Sequence, residues 1–288
     1  MAEISASTVM KLRKMSGQGM MDCKKALQEA DGDIEKAMEI LRKKGLATLA
    51  KRAARETTEG IVVSKISDDG KTAALATLCC ETDFVAKSDD FVSAAETLAE
   101  YTLACKADEG ADNLLETEID GKKFGDVLTE LVSKTGEKTQ VGDYAKFKLD
   151  APGLISIYNH FNKKVGAMLQ IQTGDGGLAE SEQLKQIAAD IAMHITAINP
   201  LALDKDGISP DVIEQEKAIY AEQVKNKPAN IIEKIVEGKL NKFFAEKCLL
   251  SQPFVKDDSK TVAQVIDATA KEAQGQAKIK RFVRFAVG

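Results

Sequence analysis

The sequence has few of the residues from which metal and redox sites are built. Its 288 residues include two histidines and five cysteines, and no two cysteines have the CxxC spacing. A zinc site needs several cysteine or histidine ligands at close spacing, and a disulfide framework needs paired cysteines. The sequence therefore predicts no metal site, no bound cofactor and no disulfide framework.

Long apolar runs are also missing. No stretch approaches the roughly 18 consecutive apolar residues of a membrane-spanning helix. The first residues, MAEISASTVMKLRK, lack the apolar core of a signal peptide. These two absences predict a cytoplasmic protein without a membrane partner.

Motifs that position catalytic groups are missing as well. The sequence contains no GxSxG elbow and no P-loop, and the GQG at residues 17–19 lacks the third glycine and the preceding strand of a dinucleotide site. His194 has helical spacing to Ile191 and Ile198, which is typical of a hydrogen-bonded histidine in a core. No residue is therefore assigned a catalytic role, and an enzyme is the least favoured class.

The composition favours a folded protein of more than one unit over a nucleic-acid binder. Hydrophobic residues make up 44% of the chain, and its net charge of -5 disfavours a phosphate backbone as partner. RNA binding stays an alternative through one basic run, which consists of Arg42, Lys43, Lys44, Lys51, Arg52 and Arg55. No aromatic residues that could stack on bases are interleaved with this run, so a solvated linker is favoured and direct nucleic-acid binding is not expected.

The first 45 residues show three short helical patterns separated by glycine. The first ends at Gly17, and the third begins after the N-cap candidate Asp33 and ends at Gly45. These patterns predict a three-helix N-terminal module. The alanine- and arginine-rich residues 46–58 then predict a linker.

Strand patterns follow and alternate with long helical patterns. GIVVSKI and KTAALATLCCET flank a turn and precede a helix over about residues 88–105. A second strand series begins near residue 141 with YAKFKL, continues with GLISIYNH and KKVGAMLQIQTG, and precedes a helix over residues 181–199. Because hairpin and long helix occur twice in this order, the sequence predicts a structural repeat and a two-subdomain core of antiparallel sheets with helices.

Two further helical patterns, at residues 210–225 and 228–247, predict a protruding antiparallel helical hairpin. This hairpin could form a homodimer by pairing with a second copy of the chain or could remain in solvent, so the oligomeric state stays open. The predicted fold class is α+β. Its predicted units are the three-helix module (1–45), the linker (46–58), the N-subdomain of the core (59–140), the first part of the C-subdomain (141–207), the hairpin (208–248) and the return to the C-subdomain (249–288).

The segment of greatest functional interest lies where the first hairpin ends and the first long helix begins. Its sequence, CETDFVAK at residues 80–87, places Phe84 between an acid and a lysine. One interpretation is structural: Thr82 or Asp83 caps the helix while Phe84 packs onto the core. The local pattern alone favours this interpretation over a binding role.

Longer motifs reverse this preference. TDFVAK at residues 82–87 resembles a signature of the elongation factor Ts family, and SGQGMMDCKKAL at residues 16–27, followed by DGDIEKAMEILRKKG, resembles the second signature of that family. HITAINP at residues 194–200 and QPFV at residues 252–255 also resemble the family pattern. The resemblance is specific because it extends along the whole chain and two long motifs occur in the family order.

The resemblance implies a guanine nucleotide exchange factor that binds elongation factor Tu in its GDP-bound and nucleotide-free states. It also implies that the N-terminal module is ubiquitin-associated-like. In this family the TDFV segment inserts into the GTPase and disturbs its magnesium site, with the phenylalanine as the wedge. The positions of this sequence that match the segment are Thr82, Asp83, Phe84 and Val85. Lesser contacts are implied at Met20, Met21, Lys24, His160 and Val255.

The sequence departs from the family pattern at two places. Glu81 stands where many members have glutamine and adds a negative charge beside Phe84, which is expected to weaken or retune docking. The chain ends at Gly288, so contacts of the additional C-terminal helical module of some members are not expected. Two alternatives stay open: Met20 or Met21 could lie in the core of the three-helix module, and that module could bind ubiquitin-like or other helical partners.

Overall fold

The computed structural model describes residues 4–288, apart from the side chains of residues 229 and 230, and combines helices with antiparallel sheets. The predicted α+β class is confirmed, and residues 1–3 of the predicted module lie outside the described residues. Within the described part, no helix is long and apolar enough to cross a membrane. All five cysteines are free and buried. The described side chains include no cluster of three or more histidine, cysteine or acidic residues that could hold a metal ion.

Three helices come first in the described chain. They are α1 (Ala6–Ser16), α2 (Met20–Glu29) and α3 (Ile34–Lys51). Gly17 ends α1 as predicted, in the left-handed conformation that favours glycine. Asp33 caps α3 as predicted, because its carboxylate accepts hydrogen bonds from two backbone amides. The core that the three helices share includes Leu12 and Leu27.

Helix α3 does not end at Gly45, so this part of the prediction is wrong. A Cβ atom on Gly45 would lie 2.7 Å from the carbonyl oxygen of Thr129, which belongs to helix α7 (Phe124–Thr135). Helix α3 packs against α7 and continues to Lys51. The glycine is there because two helices approach closely, whereas the local pattern treats a glycine as a helix end.

The first half of the core is built around a three-stranded antiparallel sheet. Its elements in chain order are β1 (Glu59–Ile66), β2 (Thr72–Cys80), α4 (Asp83–Ala86), α5 (Asp89–Ala104), α6 (Ala111–Leu115), β3 (Glu118–Ile119), β4 (Lys122–Lys123), α7 and β5 (Thr139–Lys148). The strand order is β1-β2-β5. Since β5 pairs with β2, the prediction that a strand near residue 141 opens the second series is wrong. Strand partners are set by long-range register, which a local pattern does not contain.

The second half repeats this arrangement. Its elements are β6 (Gly153–Asn159), β7 (Val165–Thr173), α8 (Gly176–Ala179), α9 (Glu182–Ile198), α10 (Pro210–Gln223), α11 (Ala229–Lys247), β8 (Pro253–Phe254), β9 (Asp257–Thr261), α12 (Val262–Glu272) and β10 (Ala277–Ala286). Two short 3-10 helices, Lys205–Gly207 and Leu249–Ser251, connect them. The strand order β6-β7-β10 again has the second hairpin strand in the centre. The predicted repeat of hairpin and long helix is confirmed.

The two sheets pack against each other through the faces that their helices leave free. Leu75 and Phe147 of the first sheet meet Ile155 and Met168 of the second in this inter-sheet core. Helices α5 and α7 cover the other face of the first sheet, and α9 and α12 cover the other face of the second. Cys79 faces the inter-sheet core and Cys80 the helix-covered core, which confirms that these neighbours face opposite ways.

Helices α10 and α11 pack on each other, and their bounds lie within two residues of the predicted ones. The ammonium group of Lys239 lies 5.4 Å from the centroid of the Tyr220 ring. A small buried cluster that includes Ile208, Phe243 and Cys248 lies where the pair joins the rest of the chain. Outside this cluster the described residues of the pair are exposed or half-buried, except for the buried Leu240 of α11, and α10 contains no buried residue.

Candidate functional site

The segment between β2 and α5 folds into a single helical turn, α4, because two N-caps follow each other closely. Thr82 has extended backbone angles (φ -129°, ψ 155°), and its hydroxyl oxygen accepts a hydrogen bond from the Val85 amide at 3.4 Å. Ser88 caps the next helix in the same way, because its hydroxyl oxygen accepts a hydrogen bond from the Phe91 amide at 3.4 Å. A cap that recurs after six residues leaves room for one turn only.

This turn buries one side and exposes Phe84. Ala86 is buried and Val85 packs against the helix-covered core of the first sheet, whereas the Phe84 side chain is 83% exposed. Of the structural interpretation, the cap by Thr82 is confirmed. Its other part, the packing of Phe84 onto the core, is wrong, and the motif resemblance already turns the preference against it. One helical turn directs successive side chains to different sides, and the two residues after Phe84 already fill the side that faces the core.

A charged pair lies next to Phe84 in the chain. The Asp83 carboxylate accepts a hydrogen bond from the Lys87 ammonium group at 2.7 Å, four residues along the chain. This hydrogen bond holds the pKa of Asp83 below its usual value. The turn thus carries an ionised pair as well as an exposed aromatic ring, and charged groups next to apolar ones are typical of the rim of an interface.

Glu81 directly precedes the cap residue Thr82 and forms an ion pair with Arg52. Its side chain is 12% exposed and accepts hydrogen bonds from the guanidinium group of Arg52 at 2.8 Å and the backbone amide of Lys138 at 2.6 Å. Desolvation opposes ionisation of Glu81, but the hydrogen bonds from Lys138 and Arg52 outweigh it and lower its pKa. The negative charge expected beside Phe84 is therefore largely compensated by Arg52 and turned away from solvent.

A second glutamate holds the start of the turn. The Glu137 carboxylate accepts a hydrogen bond from the Thr82 amide at 3.1 Å and another from the Thr82 hydroxyl at 2.7 Å. Sequence reasoning missed Glu137, which lies 55 residues from Thr82. The only local signal is Gly136, which ends α7 in the left-handed conformation and directs the chain back towards β2.

The second half of the core has a counterpart to α4. Helix α8 also has four residues, follows the second hairpin strand and is capped by its preceding residue, Asp175. Leu178 and Ala179 are buried in the places of Val85 and Ala86. The position that corresponds to Phe84 is Gly177, so of these two equivalent turns only the first presents an aromatic ring.

The exposed residues of α2 form a separate surface. Met20, Met21 and Lys24 all face solvent on this helix, so the alternative that a methionine of this pair lies in the core is wrong. The core is filled instead by Cys23 and Leu27 from the other side of the helix.

His160 lies at the tip of the β6–β7 hairpin and is half-buried. Its backbone amide donates to the carbonyl of Val165 at 2.9 Å, and its ring centroid lies 4.2 Å from that of Phe161. Phe161 is 87% exposed and was missed because a turn flanked by polar residues gives no signal for a binding aromatic. The amide of Val62 donates to the carbonyl of Lys163 at 2.8 Å, which ties this loop to β1, the strand against which α4 packs.

The segments HITAINP and QPFV meet at His194. This histidine is fully buried, and its Nδ1 atom accepts a hydrogen bond from the Val255 amide at 3.2 Å. Since an amide can only donate, the ring proton is on Nε2, which donates to the Gln252 side-chain oxygen at 2.9 Å. The prediction of a packed, hydrogen-bonded core histidine is confirmed. Val255 itself is exposed.

The buried His194 predicts a loss of stability at mildly acidic pH. Desolvation lowers its pKa below 6.5, although the hydrogen bond to Gln252 opposes this shift. Because the unfolded chain then binds a proton before the folded chain does, the free energy of unfolding should fall as pH decreases below about 6.5 and stay constant above it. Urea unfolding between about pH 5.5 and 7.5 measures this slope. The slope should decrease in His194→Gln and persist in His160→Gln; an equal slope in all three proteins would contradict the assignment.

The basic run is not a free cationic surface. Arg42 pairs with Asp126, Lys44 with Asp22, and Arg52 with Glu81. Half of the six cations of the run are thus neutralised by carboxylates, which weakens the case for an RNA-binding stripe.

Comparisons with known proteins give one consistent result. A family model described as Elongation factor TS matches residues 81–288. The Elongation factor Ts of a Nitratiruptor species is 45% identical over 287 residues, which cover 99% of this chain and 93% of the relative. That of a Clostridium botulinum strain is 42% identical over 288 residues, with 99% and 93% covered. That of Desulfovibrio desulfuricans is 39% identical over 288 residues, with 99% and 98% covered.

Proposed function

The chain belongs to the elongation factor Ts family, and on this premise we propose that it binds GDP-bound elongation factor Tu and promotes release of the GDP by inserting residues 82–85. GTP can then bind the nucleotide-free factor. Family membership supports the role in translation elongation and nucleotide exchange. The observation that carries the insertion is the exposed Phe84 ring on a turn that is capped by Thr82 and anchored by Val85.

The free energy available from such an insertion is large enough to weaken GDP binding. Burial of the Phe84 ring in an apolar pocket of the partner would contribute about 2 to 3 kcal/mol. GDP is held largely through its phosphates, where a bound magnesium ion is the strongest local charge, so displacement of that ion leaves the β-phosphate poorly compensated. By linkage, the factor by which this chain weakens GDP binding equals the factor by which GDP weakens binding of the chain. The complex is therefore transient, and the chain is released unchanged without a chemical step, so it is not an enzyme.

Further contacts are proposed at three other places. The exposed thioethers of Met20 and Met21 can adapt to an apolar partner surface, with Lys24 beside them on α2. His160 is held at a hairpin tip that is tied to β1, and Val255 is exposed next to the buried His194.

The architecture is also part of the proposal. We take the three N-terminal helices as a ubiquitin-associated-like module, the segment from the end of α3 to residue 58 as its connection to the core, and α10 with α11 as a protruding hairpin. The homodimer that this hairpin could form would place two copies of the chain side by side. As a translation factor, the chain would act in the cytoplasm without binding nucleic acid directly.

Release of fluorescent GDP from elongation factor Tu, followed by stopped flow, tests the proposed function. A catalytic amount of the chain should accelerate release many-fold, because each molecule leaves the complex when a new nucleotide binds. An unrelated acidic protein at equal concentration is the control. No acceleration by the intact chain would contradict the proposal, and binding to RNA with a steep salt dependence would favour the basic-run alternative instead.

A further inference from the structure

We infer that Glu137 is a positioning residue for Phe84: it acts through Thr82 to hold the turn α4 in the orientation in which the ring can enter a partner. The inference rests on the proposed function, because it assigns Phe84 the inserting role. Glu137 itself is half-buried, lies after the end of α7 and contacts Thr82, two residues before Phe84.

The two hydrogen bonds to Thr82 fix both its backbone and its side chain. One carboxylate oxygen of Glu137 accepts from the Thr82 amide and the other accepts from the Thr82 hydroxyl. A threonine hydroxyl has a single proton. Because Glu137 receives that proton, the lone pairs of the hydroxyl are left to accept from the Val85 amide, which is the cap of α4.

This assistance matters because α4 is short. A single helical turn has almost no stability of its own, since fixing its backbone is compensated by too few hydrogen bonds. The turn is ordered by its cap and by the packing of Val85 and Ala86. Loss of the Glu137 bonds would free the Thr82 hydroxyl to rotate, and Phe84 would sample orientations from which it cannot enter a pocket.

The residue after Glu137 holds this part of the chain in place. This residue, Lys138, donates its amide to Glu81 at 2.6 Å and its ammonium group to the carbonyls of Ala53 at 2.8 Å and Arg55 at 2.9 Å. Two consecutive residues therefore connect the start of α4 to the chain that follows α3. Such preorganisation lowers the entropy that must be lost when the turn binds a partner.

The absence of tryptophan from the sequence gives a test that needs no partner. Phe84→Trp introduces the only tryptophan, so the fast component of its time-resolved fluorescence anisotropy reports the local motion at this turn, while the slow component reports tumbling of the whole molecule. Glu137→Ala in that background should increase the nanosecond motion of the ring, and Glu137→Gln should increase it less. Glu130→Ala is the matched control, because Glu130 is an exposed glutamate of α7 whose ion pair is with Lys122. This substitution should leave the motion unchanged.

Nucleotide exchange gives the second readout. Glu137→Ala should lower the exchange rate about tenfold, as expected for lost hydrogen bonds to a charged group, while Glu137→Gln keeps part of the rate and Glu130→Ala all of it. In the Phe84→Ala background, Glu137→Ala should have no further effect. If Glu137→Ala caused a general loss of structure instead, the reductions in exchange rate from the two substitutions would multiply, and the midpoint temperature of thermal unfolding would fall.

The outcomes separate this inference from the proposed function. Unchanged ring motion in Glu137→Ala, or an equal further loss of exchange in the Phe84→Ala background, would overturn the positioning role. If the ring motion increases but the intact chain does not accelerate GDP release, the positioning role of Glu137 stands and the proposed function fails.

Discussion

Phe84→Ala should lower the acceleration of GDP release by about 30- to 150-fold, which corresponds to the 2 to 3 kcal/mol that burial of a phenylalanine ring contributes. The loss should appear in the exchange rate at saturating concentrations as well as in affinity, because the ring is proposed to act inside the partner. Stopped-flow release of fluorescent GDP measures both. The variant should remain folded, since removal of a side chain that is 83% exposed rarely changes stability by more than about 0.5 kcal/mol.

Phe161→Ala is the matched control for this experiment. Both phenylalanines are exposed, and both lie in segments attached to β1. A smaller loss in Phe161→Ala would show that the effect of Phe84 is specific to its place on α4. Acceleration by Phe84→Ala that equals that of the intact chain would refute the wedge assignment while leaving the family membership intact.

The cap that creates α4 could be predicted from the sequence because capping is local. Thr82 and Ser88 are each followed within three residues by the amide that they accept from. The same holds for Asp33 at the start of α3. The end of α9 is also a local feature, because Asn199 takes the left-handed conformation there. Such signals depend only on neighbours in the chain, so they can be recognised in the sequence without knowledge of the fold.

The exposure of Phe84 could not be predicted from local pattern. Whether an apolar residue at a helix entry packs onto the core depends on what else fills that core, and here Val85 and Ala86 already do so. The motif resemblance, and not the physics of the segment, directed attention to this ring. Glu137 and Arg52 were missed as supports of the turn because their partners lie 55 and 29 residues away.

Two glycines also show that a local pattern cannot predict what depends on long-range packing. The pattern at Gly17 and the pattern at Gly45 look alike in sequence, but Gly17 ends a helix with a positive φ and Gly45 lies inside one with ordinary helical geometry. Their surroundings also differ, because a Cβ atom on Gly45 would meet the backbone of α7, whereas one on Gly17 would meet only the flexible side chain of Lys134. A close contact between helices therefore extends α3 into the residues that the sequence assigns to a linker.

Gly45→Ala should destabilise the protein by about 1 to 3 kcal/mol through overpacking, because the new Cβ atom would lie 2.7 Å from a backbone oxygen that cannot rotate away. Gly238→Ala is the matched control. Gly238 also lies inside a helix, α11, but a Cβ atom there would meet nothing within 4 Å. The control should gain about 0.5 to 1 kcal/mol, since alanine is the better helix former. Urea unfolding measures both, and a gain in both variants would contradict the close contact.

The same substitution also tests how the N-terminal helices are connected to the turn that carries Phe84. Arg52 follows the last residue of α3 and donates to Glu81, directly before Thr82. A displacement of α3 from α7 would pull Arg52 away and leave the half-buried carboxylate of Glu81 without its cation, which is costly. Gly45→Ala should therefore slow nucleotide exchange as well as lower stability, whereas Gly238→Ala should leave exchange unchanged. If Gly45→Ala lowers stability alone, the Arg52–Glu81 pair supports the fold without contributing to the orientation of Phe84.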